Sequence, residues 1–555
     1  MGKIAFWILG VCVAATFSAA AARAQSCTGD CDGSNQVTVG EIITMVNIAL
    51  DNANVSGCVA GDTNHDSAIT IDEILVAVAN ALSGCPPQAT ATPTSMPTAT
   101  TTPSLTATSG PTWTPIPTGG FLVGAAKRDI SPDLENTGHS RNGNVYLGGF
   151  GFGPSRLSQG ILAPIHVRAW VISNGTDTVA FAENETQGAF ASYKKGPWGH
   201  HDIAIAVEQA TQGRITHDHV VVGSDHSHSG PDTSGVFGGL PNAYLQFIKD
   251  QTVGAITDAF AALQPAQLLT GTIDATELIN SQFGPPMDQV DGELRVLVAA
   301  DPADATHLQT VLINYSAHAD VLGADNLLVS SDWPGVTATQ VEQALGIDTA
   351  VVMVADVGRT QPNRPDGDNA DKLNAYSSEV TAKVLSALDH LTPQSGNDIK
   401  GTQLFLRDQY NNHFLDLLLL TTAISRSSQP PWLDNGVIGT VVSTFQIGDL
   451  FFAAVPGESY PAVQFALEGA VPAARHFIFG LANDQLGYLI APQEGYPQIA
   501  ASAPSNDNAL FNVSPAIGDH VMCTLFKAAR QIGYTLPDDP DKCAVWAQED
   551  NTVPN

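Results

Sequence analysis

Three polar stretches each follow an apolar run, and each carries side chains able to bind a metal. The first is Ser224-Asp225-His226-Ser227-His228-Ser229-Gly230-Pro231, after Val220-Val221-Val222-Gly223. The second is Asn314-Tyr315-Ser316-Ala317-His318, after Val311 to Ile313, and the third is Ala454-Val455-Pro456-Gly457-Glu458. Imidazole is the commonest zinc ligand, and two imidazoles with a carboxylate and an open position make catalytic zinc. Histidines at i and i+2 past a strand both face one cleft only if the backbone turns there; the same spacing also describes ordinary surface histidines. A Glu after Pro-Gly also caps helices. Tyr488, in Leu481-Ala482-Asn483-Asp484-Gln485-Leu486-Gly487-Tyr488, reads equally as a core tyrosine. No single stretch decides the chemistry.

The elements that must position these residues are legible as alternating apolar runs and helical segments. Val179–Glu183, His219–Gly223, Gln309–Tyr315, Thr349–Ala355 and Leu450–Val455 read as short buried strands. Asp202–Thr211, Ala243–Leu263, Val336–Leu345 and Ala370–His390 read as helices. Strand, polar loop, helix, strand predicts a mixed α/β domain over 121–555. The polar residues fall at strand ends, where such folds build their sites.

Taken together, the motifs resemble the neutral (non-lysosomal) ceramidases over most of residues 121 to 500. Gly124-Ala125-Ala126-Lys127-Arg128-Asp129-Ile130-Ser131-Pro132 looks like that family's first strand. Asp225 to Pro231 is similar to its T-H-T-H-S-G-P motif, Asn314 to His318 to its second histidine segment, and Ala454 to Glu458 reproduces its A-V-P-G-E. Gly480 to Tyr488, followed by Glu494-Gly495-Tyr496, looks like its tyrosine-bearing segment. The resemblance implies one zinc held by His226, His318, Glu458 and Tyr488, with His228 beside it to steady an oxyanion or shuttle a proton. It implies hydrolysis of the amide bond of ceramide or a related N-acyl lipid by a zinc-activated water. Another amide or ester substrate, and a non-catalytic scaffold or adhesion protein, are the competing expectations. Asp332 is a supporting group in this reading, or a loop cap.

The chain departs from that family on the substrate side. Its G-D-V-S-P-N stretch is here Gly358-Arg359-Thr360-Gln361-Pro362-Asn363, so Gln361 stands for the active-site serine and Thr360 is the nearest hydroxyl. Ser281 and Gln282 stand where the family places an arginine near the substrate. The stretch after Tyr496 is too short for the family's immunoglobulin-like C-terminal domain.

Ahead of this domain lies a different kind of sequence. Lys3, the apolar run Ile4 to Phe17 and Ala22-Arg23-Ala24 read as a secretory signal over 1–24, too short for a membrane span. Residues 25–85 contain a repeat at an offset of 32. Asp30, Asp32, Ser34, Gln36 and Glu41 fall at calcium-loop positions, as do Asp62, Asn64, Asp66, Ala68 and Glu73 in the second copy. Asn35 and Ser67 replace the usual loop glycine. Each loop runs into one apolar-periodic helix. This small all-α, EF-hand-type module resembles a dockerin, which implies structural Ca²⁺ and a cohesin-type partner. Residues 86–120, rich in Thr, Pro, Ser and Ala, read as a linker. No later stretch reads as a transmembrane segment.

The charge is −32, from 55 acidic and 23 basic residues. That balance excludes nucleic-acid binding, which draws its affinity from Lys and Arg. Of seven cysteines, Cys12 leaves with the signal. The remaining six, in a secretory context, point to disulfides. Cys523 with Cys543 is the simplest pair in the large domain; Cys27, Cys31, Cys58 and Cys85 allow three pairings.

Overall fold

The computed structural model describes residues 120–134, 144–410, 424–490 and 511–536 apart from 152 and 286, with Asn412, Leu415, Cys543 and parts of 27–80. The expected signal peptide, residues 86–119, the loop residues Asn64, Asp66, Ala68 and Glu73, and Glu494 to Tyr496 lie outside the described residues. The chain forms two compact units, Met1–Ala107 and Thr108–Asn555.

In the small unit Val37, Met45, Ile48, Ile69 and Ala77 pack around Cys58, which is bonded to Cys31. Carboxylate oxygens of Asp30, Asp32 and Glu41 lie within 4.8 Å of one another. Asp30 and Asp32 both accept the Ser34 N–H, and Glu41 accepts those of Cys31 and Thr38.

The large unit is built on two sheets. The first contains β1 (Phe121–Asp129), β2 (His166–Ser173), β3 (Thr178–Asn184), β4 (Val220–Ser224), β5 (Gln264–Asp274), β6 (Glu293–Asp301), β7 (Asp304–Tyr315) and β8 (Ala350–Val354). Their spatial order is β8-β7-β6-β5-β1-β2-β3-β4, antiparallel except for the parallel pairs β7/β8 and β3/β4 at its two edges. The second sheet runs β9 (Ile399–Gln409), β10 (Val437–Ile447), β11 (Leu450–Ala454) and β12 (Arg475–Phe479), with β11/β12 parallel. The main helices are α1 (His200–Ala210), α2 (Asn242–Ala261), α3 (Asp332–Leu345), α4 (Asn369–Leu388), α5 (Pro461–Ala470) and α6 (Ile517–Gln531).

Alternation along the strands sorts their side chains into layers. From the first sheet, Trp170, Phe181, Leu297, Leu312 and Met353 meet Phe445, Phe452, Phe477 and Phe479 of the second. Phe452 stacks on Phe181 at 5.3 Å and on Phe477 at 5.1 Å between centroids. The neighbours of Phe181 in sequence, Ala180 and Ala182, point the other way and pack under α1 and α2. Val296, Ile313 and Val352 do the same under α3 and α4. Behind the second sheet, Phe451 and Ala453 pack on α5 and α6. The result is a four-layer sandwich: helices, sheet, sheet, helices.

The strands and helices expected from periodicity are present. Two of them start four or more residues earlier: β7 at Asp304, and α3 at Asp332 because Pro334 is tolerated in a first helical turn. The long β9 and β10, and with them the second sheet, had not been read from the sequence. Cys523 on α6 is bonded to Cys543. No helix among the described residues is long and apolar enough to cross a membrane.

Phe452 sits fully buried between the two sheets. Phe452→Ala is expected to lower unfolding free energy by about 3–5 kcal/mol, the usual range for a buried Phe. Denaturant unfolding followed by far-UV circular dichroism reads this directly; a loss under about 1 kcal/mol would mean the sheets do not share this core.

Candidate metal centre

The C-terminal ends of β4, β7, β8, β11 and β12 meet at one end of the sandwich, and side-chain amides tie them together. Asn314 near the end of β7 donates from Nδ2 to Met353 O of β8 and to Ile478 O of β12, both at 2.8 Å. Gly480 N donates to Val354 O at 2.9 Å, and Asn483 N to Val222 O at 2.8 Å. The two sheets therefore present their outgoing loops side by side.

His226 leaves β4 with φ of 63°, in the left-handed region. A side chain there costs on the order of 1–3 kcal/mol, and the fold holds it with specific contacts. Asp225 accepts the Ser227 N–H at 3.0 Å, and Ser227 Oγ donates to Ser330 O at 2.8 Å. His228 N donates to Ala319 O at 2.9 Å. This turn brings both imidazoles to one side. His318 leaves β7 and is gripped by three segments: its N–H donates to Thr360 O, its Nδ1 to Val357 O at 3.0 Å, and its own carbonyl accepts Trp333 Nε1. Glu458 leaves β11 and pairs in a two-residue parallel ribbon directly opposite Tyr488, whose hydroxyl bonds its carboxylate.

The donors converge. His228 Nε2 lies 3.4 Å from His226 Nε2 and 3.0 Å from His318 Nε2, and His226 Nε2 lies 3.3 Å from Glu458 Oε2. His226 Nδ1 donates to Gln187 O at 2.7 Å. With Nδ1 of His226 and of His318 each donating to a carbonyl, their Nε2 atoms carry lone pairs, which face one another and a buried carboxylate. Glu458 Oε2 and His228 Nδ1 are buried without a hydrogen-bond partner. Burial and the adjacent imidazoles push His228 well below its ordinary value, so it is neutral. Donors around a tetrahedral zinc at 2.0–2.1 Å lie about 3.3 Å apart. The spacing, the lone pairs and the orphaned carboxylate oxygen all fit a cation.

The cluster forms one end of a cavity of about 570 Å³. Phe190, Val236, Phe237, Leu415, Ile438 and Val513 give it apolar walls, interrupted by Gln187, Gln282, Asp320, Gln361, Arg426 and Gln485. Above His228, Phe150 packs edge-on at 4.6 Å. Gly149, at φ of 86°, lies so close that a Cβ would sit 2.1 Å from the imidazole. Arg156 anchors this loop by donating to Gly148 O, His228 O and Asn326 O.

The remaining sequence-derived candidates separate. Gln361 and Gln282 line the cavity, and Gln282 donates to Gly358 O. Thr360 does not line it. Its hydroxyl is buried without a partner, and only its backbone reaches His318. The alternation of the short Thr360–Pro362 ribbon, paired with Ile279–Ser281, turns Gln361 outward and Thr360 inward. Ser281 Oγ is engaged with Met287 O. Asp332 is also outside the cavity lining. Its buried carboxylate accepts the N–H groups of Val321, Leu322 and Trp333, so it organises the loop after His318 at the start of α3; burial pushes it up to about 7.

Several residues that face the cluster had not been singled out from the sequence. Gln187 supplies the carbonyl behind His226, and Asp320, two positions past His318, faces the cavity with Oδ1 buried and unpartnered. Arg426 and Gln485 come from segments far away in the chain. The repeated glycines of Gly148-Gly149-Phe150-Gly151 were the one available sign of a backbone pressed close to a ring.

A four-layer sandwich with side chains able to hold a metal at the strand ends defines the class. No protein-family model matches the sequence, and no curated protein matches it. Among solved structures, the neutral ceramidase from Pseudomonas aeruginosa is similar with a TM-score of 0.60 and 18% identity, over 77% of this chain and 77% of that one. A ceramidase complexed with C2 is similar with a TM-score of 0.59 and 18% identity, over 76% and 77%. The large unit has the neutral ceramidase fold.

Gly149→Ala is expected to displace the His228 ring and strain the loop at once. Turnover of a fluorescent N-acyl amide should fall at least about tenfold, the usual scale for a lost supporting contact, with zinc content and the circular dichroism spectrum unchanged. Wild-type turnover would show that this loop does not press on the cluster.

Proposed function

We propose that this chain is a secreted zinc-dependent amide hydrolase acting on ceramide or a related N-acyl lipid. The observation that carries this reading is the convergence of His226, His228, His318 and Glu458 at one end of an apolar cavity of about 570 Å³. The likeness to ceramidases supports it.

His226, His318, Glu458 and Tyr488 would hold the ion, and His228 would stand on its substrate side. The tautomers separate these roles. His226 and His318 each have Nδ1 tied to a carbonyl, which aims Nε2 as a ligand. His228 has no such tie and is free to take a proton at one nitrogen and hold it there. Zinc held here supplies Lewis acidity toward the scissile carbonyl and acidifies water. His228 then delivers a proton to the leaving nitrogen as the C–N bond breaks, and the Gln361 amide orients the scissile group. The apolar walls bind the acyl chain and exclude water.

Secretion is part of this proposal, supported by the N-terminal apolar run and the disulfides. Calcium at Asp30, Asp32 and Glu41, and a cohesin-type partner for residues 25–85, are further proposals that rest on the internal repeat.

Metal analysis of the purified chain should find about one zinc, and His226→Ala or Glu458→Ala should remove it. Undiminished zinc in both variants would sink the ligand assignment. His228→Ala is expected to keep zinc while kcat on a fluorescent N-acyl amide falls about 10²–10⁴-fold, the scale of a lost proton donor. Loss of zinc in that variant would make His228 a ligand instead.

A further inference from the structure

A second depression adjoins the first. It is open, about 380 Å³, and lined by Asn280, Gln361, Pro362, Asn363 and Arg364. Gln361 lines both spaces, so the two are neighbours across its amide. Their chemistry differs. The cavity at the cluster has aromatic and aliphatic side chains among its polar ones, whereas the outer groove has Pro362 as its one apolar lining residue. A substrate spanning both would bury one apolar chain and leave a polar end outside. The groove offers no wall against which a second long chain could be buried.

The groove also carries a cation. Four arginines stand around the site, and three are committed elsewhere. Arg156 donates to three backbone carbonyls, Arg426 to Asp484 and two carbonyls, and Arg359 lies over Tyr460 and donates to Gln289 O. Arg364 differs: its side chain is 41% exposed. It is paired through Nη2 with Asp320, which lines the inner cavity. A guanidinium has five N–H donors in a fork, so one such bond leaves donors for a second carboxylate. The net charge of −32 repels anions at long range. Beyond about 8 Å salt screens that repulsion, and Arg364 is the cationic side chain that lines the groove.

Resting on the amide-hydrolase reading above, we infer that the substrate is an N-acyl amino acid: one fatty acyl chain in the inner cavity, the scissile amide at Gln361, and the amino-acid carboxylate on Arg364 in the groove. Water adds to the acyl carbon, the C–N bond breaks, and the nitrogen takes a proton. The products are a fatty acid and a free amino acid, with no redox partner required. A single short polar leaving group matches the groove better than a second alkyl chain does. Gln361 suits this substrate because an amide side chain both accepts from the scissile N–H and donates to the carboxylate.

The test compares three substrates with the zinc-loaded full chain: N-lauroylglycine, N-lauroylethanolamine with the same acyl chain and a neutral leaving group, and a short-chain ceramide. N-lauroylglycine is expected to show kcat/KM at least tenfold above the other two. Arg364→Gln should lower the ratio of kcat/KM for N-lauroylglycine over N-lauroylethanolamine at least tenfold, mostly through KM, and Arg364→Lys should restore part of it. Equal or better turnover of the neutral amides, or a ratio unmoved by Arg364→Gln, overturns the inference and leaves the amide hydrolase standing. No turnover of any of the three overturns both.

Discussion

The arrangement depends on bringing together groups that repel one another. Two imidazoles with their Nδ1 protons already donated, a third that is neutral, and a buried carboxylate point lone pairs at a common space with separations of 3.0 to 3.4 Å. In a low-dielectric interior such a cluster is costly unless a cation occupies its centre. The rest of the site is what keeps it assembled. His226 is held in the left-handed region by the Asp225 turn and by Gln187 O. His318 is held by carbonyls from the loop after β8, and Glu458 by the ribbon with Tyr488.

Those contacts act only because the two sheets are registered against each other. His226 and His318 leave the first sheet, and Glu458 and Tyr488 follow strands of the second. Any slip between the sheets would separate the histidines from the carboxylate. Two features oppose a slip. The phenylalanine layer of Phe181, Phe445, Phe452, Phe477 and Phe479 fixes how the faces interlock. Asn314 then satisfies backbone groups of β8 and β12 with one amide. Apolar packing alone is weakly directional; the buried amide, costly if left unpaired, makes one register the right one.

How much of this could be read beforehand follows from which information is local. Apolar runs ending in His226, His318 and Glu458 are visible because strand, turn and polar side chain are contiguous. Which residue of a pair faces the cavity was not visible. Thr360 and Gln361 are adjacent, and the pleat of a three-residue ribbon decides between them. Asp332 is ambiguous in the sequence because an Asp before Trp-Pro-Gly looks the same whether it caps a loop or does chemistry; that three N–H groups point at its carboxylate is a fact of the folded loop. Phe190, Arg426 and Val513 line one cavity from positions spread over more than 300 residues of sequence, and no period within the chain announces that. In the second sheet β11 is legible as an apolar run, but its partnership with β9 and β10 is not, because strand pairing is a non-local fact.

The site divides into a part that the fold constrains and a part that it does not. The side chains of His226, His318 and Glu458 are tied by backbone carbonyls, by one another or by Tyr488, and changing one disturbs the others. Gln361 contributes its backbone to the pairing with Asn280 and extends its side chain between cavity and groove. Arg364 reaches inward only as far as Asp320. Residues of this second kind can change without loosening the cluster, because no strand end or metal donor hangs on their side chains. That is where the chain departs from the ceramidase motifs it otherwise resembles, with Gln361 at the position of the family's serine. A fold built this way fixes the His226, His318 and Glu458 cluster and leaves the side chains between cavity and groove free to vary.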